Sequence, residues 1–241
     1  MKKVLLILLA SSVLLQACLP PAFRAHPTLA QRAATIKTVL VAPPKVEVFE
    51  LGAGGMREKM DEWSDQGRKN VIAALEKSLA NKGSLRLRQL DEESLPQEAK
   101  AELEQTSALF EAVNDAILRH TYGAGPELFE EKLTNFDYSL GPEIRALHME
   151  GVDALLFIRA VDHVSSQGRI AQQVALALVA AALGVVVVPQ GGVTALSVAF
   201  VDANTGTILW HKFVRALGHD LRDSGSANRI VNQVLADLPL R

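Results

Sequence analysis

Five consecutive apolar residues, Ala154-Leu155-Leu156-Phe157-Ile158, stand between Gly151 and a return hairpin. Neighbouring side chains along a strand point to opposite faces, so a continuously apolar strand offers hydrophobic surface above and below its sheet. Such a strand cannot lie at an exposed edge, and it needs one covering layer on each side. Residues 152–161 are therefore predicted as a central strand in a sheet carrying helices. Downstream, residues 193–201 and 207–214 flank Asp202-Ala203-Asn204-Thr205-Gly206. Asp, Asn and Gly are the residues that tight turns select, so these two segments are expected to pair antiparallel.

The remaining elements follow from periodicity and from the residues that interrupt it. Residues 35–41 read as a buried strand stopped by Pro43-Pro44, and 46–51 as a short extended piece before Gly52-Ala53-Gly54-Gly55. Val71, Ile72, Leu75 and Leu79 form one apolar stripe, predicting a helix over 64–80 that Asn81-Lys82-Gly83 ends. Residues 85–90 alternate Leu with Arg or Gln, the pattern of a half-buried strand. Ser94-Leu95-Pro96-Gln97 has the form of a capping box, opening a long helix with Leu103, Leu109, Phe110, Val113 and Ile117 on one face. Pro126 and Pro142 suit first helical turns, predicting short helices near 127–133 and 143–150. Ile230, Val231, Val234, Leu235 and Leu238 line the inner face of a terminal helix for which Ser224 or Ser226 is the expected cap. The order implies an α/β (α+β) fold: a mixed sheet of about five strands flanked by helices, with an apolar insertion at 168–192 before a C-terminal β-hairpin and helix.

The amino terminus carries Lys2 and Lys3, an apolar run over 4–15, and then Leu15-Gln16-Ala17-Cys18. A charged start and a short apolar middle make a secretory leader, and about 12 apolar residues cannot cross roughly 30 Å of hydrocarbon. The last four residues resemble the lipobox of bacterial lipoproteins, in which cleavage precedes a cysteine that then carries acyl chains. The resemblance implies a signal peptide over 1–17 and a lipidated Cys18. Pro20, Pro21 and Pro27 suggest a tether over 18–34, leaving 35–241 as a single domain. The alternative is an ordinary leader with a bystander cysteine. Cys18 is the chain's one cysteine; in an oxidising compartment a lone thiol invites stray disulfides, whereas a thioether-linked lipid consumes it. Leu19 stands where lipoproteins kept at the inner membrane often carry Asp, so the resemblance implies the outer membrane, facing the periplasm. Without the two leader lysines, 23 basic residues face 27 acidic ones, a net charge near −4 with no basic block. Nucleic acid is excluded as a partner, because such binding needs clustered cations.

Gly151-Val152-Asp153-Ala154-Leu155-Leu156-Phe157 and the segment from Val201 through the Asp202-Gly206 turn to Thr207-Ile208-Leu209-Trp210 resemble the periplasmic fold shared by the curli secretion-channel lipoprotein and the amino-terminal domain of the Tol-system propeller protein. That resemblance implies a place in a multi-protein envelope assembly. Residues 39–44 and on to Gly55 also resemble uncharacterised proteobacterial lipoproteins, a likeness that brings no function with it.

Motifs for bond-making chemistry are missing from the sequence. Asp202, Asn204 and Gly206 suggest a calcium loop, but the glycine comes one position early and no glutamate follows at the required distance. Gly52-Ala53-Gly54 begins a dinucleotide fingerprint that Arg57 breaks. His26, His120, His148, His163, His211 and His219 are scattered, with no pair at ligand spacing, so neither a metal nor a cofactor is expected. No nucleophile elbow and no Ser-x-x-Lys motif occurs. An envelope hydrolase assembled from distant residues is the least supported class, and the chain is expected not to be an enzyme. Trp63 and Trp210 read as core or near-core aromatics rather than ligand platforms.

Residues 174–188 contain no charged or strongly polar side chain, and Gly184 separates an Ala/Leu-rich half from Val185-Val186-Val187-Val188. In the curli family the equivalent connection supplies a membrane-crossing hairpin, but strands facing lipid alternate in polarity and this run does not. As a helix, about 15 residues rise roughly 22 Å, too little to span a bilayer. Three readings stand: a helix buried in its own domain or in an oligomer, a membrane contact, or a flexible loop. The expected docking residues are Leu176, Leu178, Val179, Leu183, Val185, Val186 and Val187, facing another copy, an envelope protein partner or the membrane. The leading expectation is a membrane-anchored envelope lipoprotein that binds or assembles; the alternative is an oligomeric secretion or pore subunit that inserts residues 170–190.

Overall fold

The structure is a computed structural model that describes residues 22–80, 85–93, 95–123, 128–147, 151–186 and 191–239. The leader, Cys18, Ser94, His148 and Val187 lie outside the described residues. The strands are β1 (Arg24–Ala25), β2 (Thr38–Val41), β3 (Lys45–Leu51), β4 (Arg57–Lys59), β5 (Arg86–Gln89), β6 (Ala154–Ser165), β7 (Gly192–Asp202) and β8 (Ile208–Leu217). The helices are α1 (Leu29–Ala33), α2 (Asp61–Ala80), α3 (Gln97–Thr121), α4 (Glu130–Thr134), α5 (Gln167–Ala182) and α6 (Ser224–Leu235), with a 3-10 turn over Pro142–Leu147.

All eight strands join one mixed sheet in the order β1-β8-β7-β6-β2-β5, with β3 also on β6 and β4 on β3. The predicted central strand is β6, and both its edges are used. One edge pairs antiparallel with β7 from Ala154 opposite Asp202 to Val164 opposite Gly192. The other edge is shared: β2 pairs parallel with its start, Val41 opposite Leu156, and β3 pairs parallel with its end, Leu51 opposite Ser165. Pro43 and Pro44 explain the hand-over. Proline has no amide hydrogen to donate, so the ladder breaks there and the chain steps aside before rejoining the same edge.

The two faces of β6 feed two cores, as its unbroken apolarity requires. Ala154, Leu156, Ile158 and Ala160 pack with Val71 and Leu75 of α2 and with Ile230 and Val234 of α6. Leu155 and Phe157 pack on the other side with Leu103, Phe110 and Ile117 of α3 and Ile144 of the 3-10 turn. Phe110 and Phe157 stack with ring centroids 5.0 Å apart, a favoured offset for aromatic pairs. Trp210 is fully buried, and Trp63 is half-buried against the core beneath the Arg222 guanidinium at 4.1 Å, both as expected.

Several expectations are corrected. The sheet has eight strands among the described residues rather than about five, because the two-residue β1 and the three-residue β4 are too short to leave a periodic signal. Part of the span expected as a tether is folded: β1 pairs with β8, α1 follows, and Leu29 is buried in the core. Helix α6 is capped by Asp223, which accepts a 2.7 Å hydrogen bond from the Ser226 amide, rather than by Ser224 or Ser226. The Ser226 hydroxyl instead accepts from the Asp220 amide at 2.9 Å. Pro96, with no side-chain hydrogen bond, occupies the cap position of α3, and the segment after Pro142 coils as a 3-10 turn.

The β7–β8 turn forms as predicted. Asp202 Oδ1 accepts the amides of Asn204 (2.9 Å) and Thr205 (3.0 Å), and its other oxygen accepts from Arg32 of α1. Burial alone would raise this carboxyl, but the two amides and the guanidinium outweigh it and hold it below the usual carboxylate range. Asp202 is thus engaged by the protein's own donors, which is the chemistry of a turn rather than of a calcium loop.

Candidate functional site

Helix α5 occupies the apolar insertion and projects from one end of the sheet. It begins where β6 ends: the Ser166 amide donates to Leu51 O at 2.9 Å, and the Ser166 hydroxyl caps the helix by accepting from the Arg169 amide at 3.2 Å. Arg169 also reaches Gly52 O at 3.5 Å, tying the first turn to the β3–β4 loop. The chain returns beside its point of departure, with the Ser165 amide donating to Gly191 O at 2.9 Å. Gly192 closes this neck. A Cβ there would lie 2.1 Å from His163 O, so only glycine lets the two strands approach this closely.

Beyond the neck the helix is covered only in part, with Ile170, Gln173, Ala177 and Ala180 half-buried along one side. None of its side chains is buried. Leu176, Leu178, Val179 and Leu183 expose 60, 68, 61 and 78% of their surfaces, and Val185 and Val186 at the exit expose 54 and 90%. Thus six of the seven expected docking residues stand together on one projection, while Val187 and Cys18 lie outside the described residues. The reading of this segment as a helix buried in its own domain is corrected, because none of its described side chains is fully buried. A helix apolar on all sides is normally covered by protein or lipid.

Buried hydrogen bonds hold the base of the projection. Asp162, three residues before the end of the β6–β3 pairing, is fully buried and accepts from Thr194 Oγ1 at 2.7 Å and from the Leu221 amide at 2.8 Å. Burial raises its carboxyl above the usual range, and those two donors only partly offset it. His163 stacks on Phe49 at 5.5 Å and is held below the ordinary imidazole range by burial, then by the charges of Arg57 and Arg215. These groups fasten β6, β7 and the loop before α6 together beneath the helix.

A second concave region lies where β2 and β5 end side by side, a cleft of about 420 Å³ lined by residues including Pro43, Arg68, Lys69, Asp91 and Glu92. The ends of parallel strands are where α/β folds commonly place ligands. Here Arg68 pairs with Asp65, outside the lining, at 2.9 Å, and the lining holds no histidine, serine, threonine or cysteine. Among the described residues no group of three or more His, Cys, Asp or Glu is placed to hold a metal. The histidines serve locally: His120 meets the Tyr138 hydroxyl at 2.8 Å, His219 meets Ser226 at 3.1 Å, and His26 meets Thr28 at 2.8 Å.

Sequence reasoning missed one buried polar network. His211 Nε2 lies 3.0 Å from Asn114 Oδ1, the Tyr122 hydroxyl donates to His211 O at 2.9 Å, and the Arg24 guanidinium covers the Tyr122 ring at 4.5 Å. Burial raises the Tyr122 phenol, against the opposing pull of Arg24. The signal was a histidine and an asparagine at inward positions of otherwise apolar elements, which reads equally well as a chance break in the pattern.

No family model matches the chain, and no curated protein matches it. Among solved structures it is similar to a PelC dodecamer from Paraburkholderia phytofirmans, with 10% identity, a TM-score of 0.37, and coverage of 89% of this chain and 94% of that one. It is also similar to lipoprotein GNA1162 from Neisseria meningitidis, with 12% identity, a TM-score of 0.33, and coverage of 83 and 96%. A third is the LpoB C-terminal domain from Salmonella enterica, with 13% identity, a TM-score of 0.26, and coverage of 80 and 95%.

Proposed function

We propose that this chain is a lipid-anchored envelope protein, fixed through acyl chains on Cys18 to the periplasmic face of the outer membrane, whose α/β body binds or assembles through helix α5. Its contribution is placement and contact rather than bond-making. The observation that carries the reading is the projection itself: a 16-residue helix rich in Ala, Leu and Val with no buried side chain, mounted on a hairpin. The sole cysteine at the end of a leader supports the anchor. Burying acyl chains contributes about 0.8 kcal/mol per methylene, and two or three chains hold a protein stably where one does not.

Two results test it. Cells given labelled palmitate are expected to incorporate it into the natural chain and not into Cys18→Ala; label in both, or in neither, refutes the anchor. The double variant Leu178→Asp, Val186→Asp is expected to unfold within about 0.5 kcal/mol of the natural protein, because both positions are solvent-facing, while its membrane extraction or its assembly size changes. Unchanged extraction and unchanged size would remove α5 as the contact surface.

A further inference from the structure

We propose that the far half of α5 enters one leaflet of the same bilayer that receives the lipid on Cys18, forming a second anchor beside it; this rests on the reading of Cys18 as acylated. The polarity of α5 changes along its axis rather than around it. Gln167, Arg169, Gln172 and Gln173 occupy the turns nearest the body, and every side chain over 174–186 is apolar or absent. A helix built to pair with a second copy carries an apolar stripe beside a polar one along its whole length. A helix apolar on all sides beyond a polar base suits entry by its tip. Residues 174–183 rise about 15 Å as a helix, half of the roughly 30 Å hydrocarbon core, so the apolar part is too short to cross a bilayer and matches one leaflet. The tip also carries its hydrogen bonds with it: the amides of Leu183, Gly184 and Val185 donate to the carbonyls of Ala180, Ala181 and Ala180 at 2.9–3.0 Å. Backbone satisfied internally is the condition for entering lipid.

The short span of chain between Cys18 and β1 favours the membrane as the occupant. Arg24 lies opposite His211 and Ala25 opposite Trp210, antiparallel, and the chain bends at Phe23 and Ala22 just before. Strand β8 runs on from His211 to Leu217. Leu217 pairs with Val193, and Gly192 with Val164, so this is the end of the sheet from which α5 leaves. Cys18 is six residues before Arg24, so its lipid is attached within about 20 Å of β1. That reach takes in the end of the sheet from which α5 leaves. Two further apolar side chains are exposed there, Leu217 at 61% and, on the loop that Arg169 holds, Met56 at 81%.

The test uses the full acylated protein in vesicles of phosphatidylethanolamine and phosphatidylglycerol. With Cys18 consumed by its lipid, Leu178→Cys and, on the exposed face of α3, Leu109→Cys each supply a single thiol for an environment-sensitive fluorophore. The label at 178 is expected to be quenched by nitroxides on the lipid tails and reduced by aqueous dithionite about tenfold more slowly than the label at 109, as burial below the headgroups requires. Equal reduction at the two positions, in protein whose acylation mass spectrometry confirms, overturns the insertion and leaves the lipid anchor standing. Protection at 178 without quenching by the lipid nitroxides means that protein covers the helix, and this also overturns it. An unmodified Cys18 in the mass spectrum defeats the anchor instead, and quenching at 178 against 109 in a Cys18→Ala background then decides the helix separately.

Discussion

Gly206→Ala is expected to lower the unfolding free energy by about 3 kcal/mol or more and the Tm by roughly 6–12 °C. Two costs combine. Gly206 has φ +71, in the left-handed region that L side chains rarely adopt, and a Cβ there would lie 2.0 Å from Gly141 O and 2.7 Å from Gly141 C. The obstacle is backbone, and Gly141 cannot retreat freely because it sits in its own turn with φ +81. The contact matters because this is where the β7–β8 turn meets the segment after α4: Leu140 N donates to Gly206 O at 2.8 Å and Ile208 N to Tyr138 O at 2.9 Å. Separating the two would uncover Leu140, Ile144 and Ile208, all in the core beneath α3. Urea unfolding followed by circular dichroism gives the measurement, with Gly54→Ala as control. Gly54 has open space around its Cβ position, and its substitution is expected to stay within about 0.5 kcal/mol. A Gly206→Ala protein within about 1 kcal/mol of the natural one would refute the argument.

Acid should destabilise this protein through His211 well before general acid unfolding. The ring is fully buried, and burial, reinforced by the nearby Arg24 charge, pushes it down to about 3. Because Asn114 Oδ1 can only accept, Nε2 carries the proton of the neutral ring. In the unfolded chain the imidazole titrates near 6.5. The folded pKa is the lower one, so the associated stability is complete above about pH 6.5 and is lost as pH falls through about 3, by about 5 kcal/mol in all. Asp162 acts in the opposite sense. Its folded pKa is raised, so it favours the fold at low pH and ceases to do so as pH rises through that value, which opposes the acid loss. Urea titrations at pH 7, 6, 5 and 4.5 are expected to show stability falling across this range, and His211→Gln is expected to flatten the fall. Identical pH dependence in the two proteins would exclude His211 as its source.

The elements that the sequence announced are those whose burial is periodic or unbroken. Strand β6 had to be central because apolar side chains on both its faces need cover, and the Asp202-Gly206 turn was legible because its residue types have few other uses. Helices α2, α3 and α6 declared themselves by stripes of leucine, isoleucine and valine. The failures have a common cause in partners far away along the chain. Strand β1 is two residues in a proline-rich segment, and only pairing with β8 distinguishes it from a tether. Asp223 displaced the serines as the cap of α6 because the Ser226 hydroxyl was already committed to the Asp220 amide. The expected docking residues were legible as an apolar run, but their exposure was not. Whether an apolar helix is covered depends on what the rest of the chain leaves vacant, and no local pattern records that.

The closed neck at Gly192 separates two problems that most folded chains must solve together. Strands β6 and β7 pair without a break up to Val164 opposite Gly192, so changes to the exposed side chains of α5 are expected to leave the register of the sheet intact. Shortening the arm, extending it or exchanging it for one of different chemistry is then a change of attachment rather than of architecture, and a single scaffold can serve surfaces of several kinds.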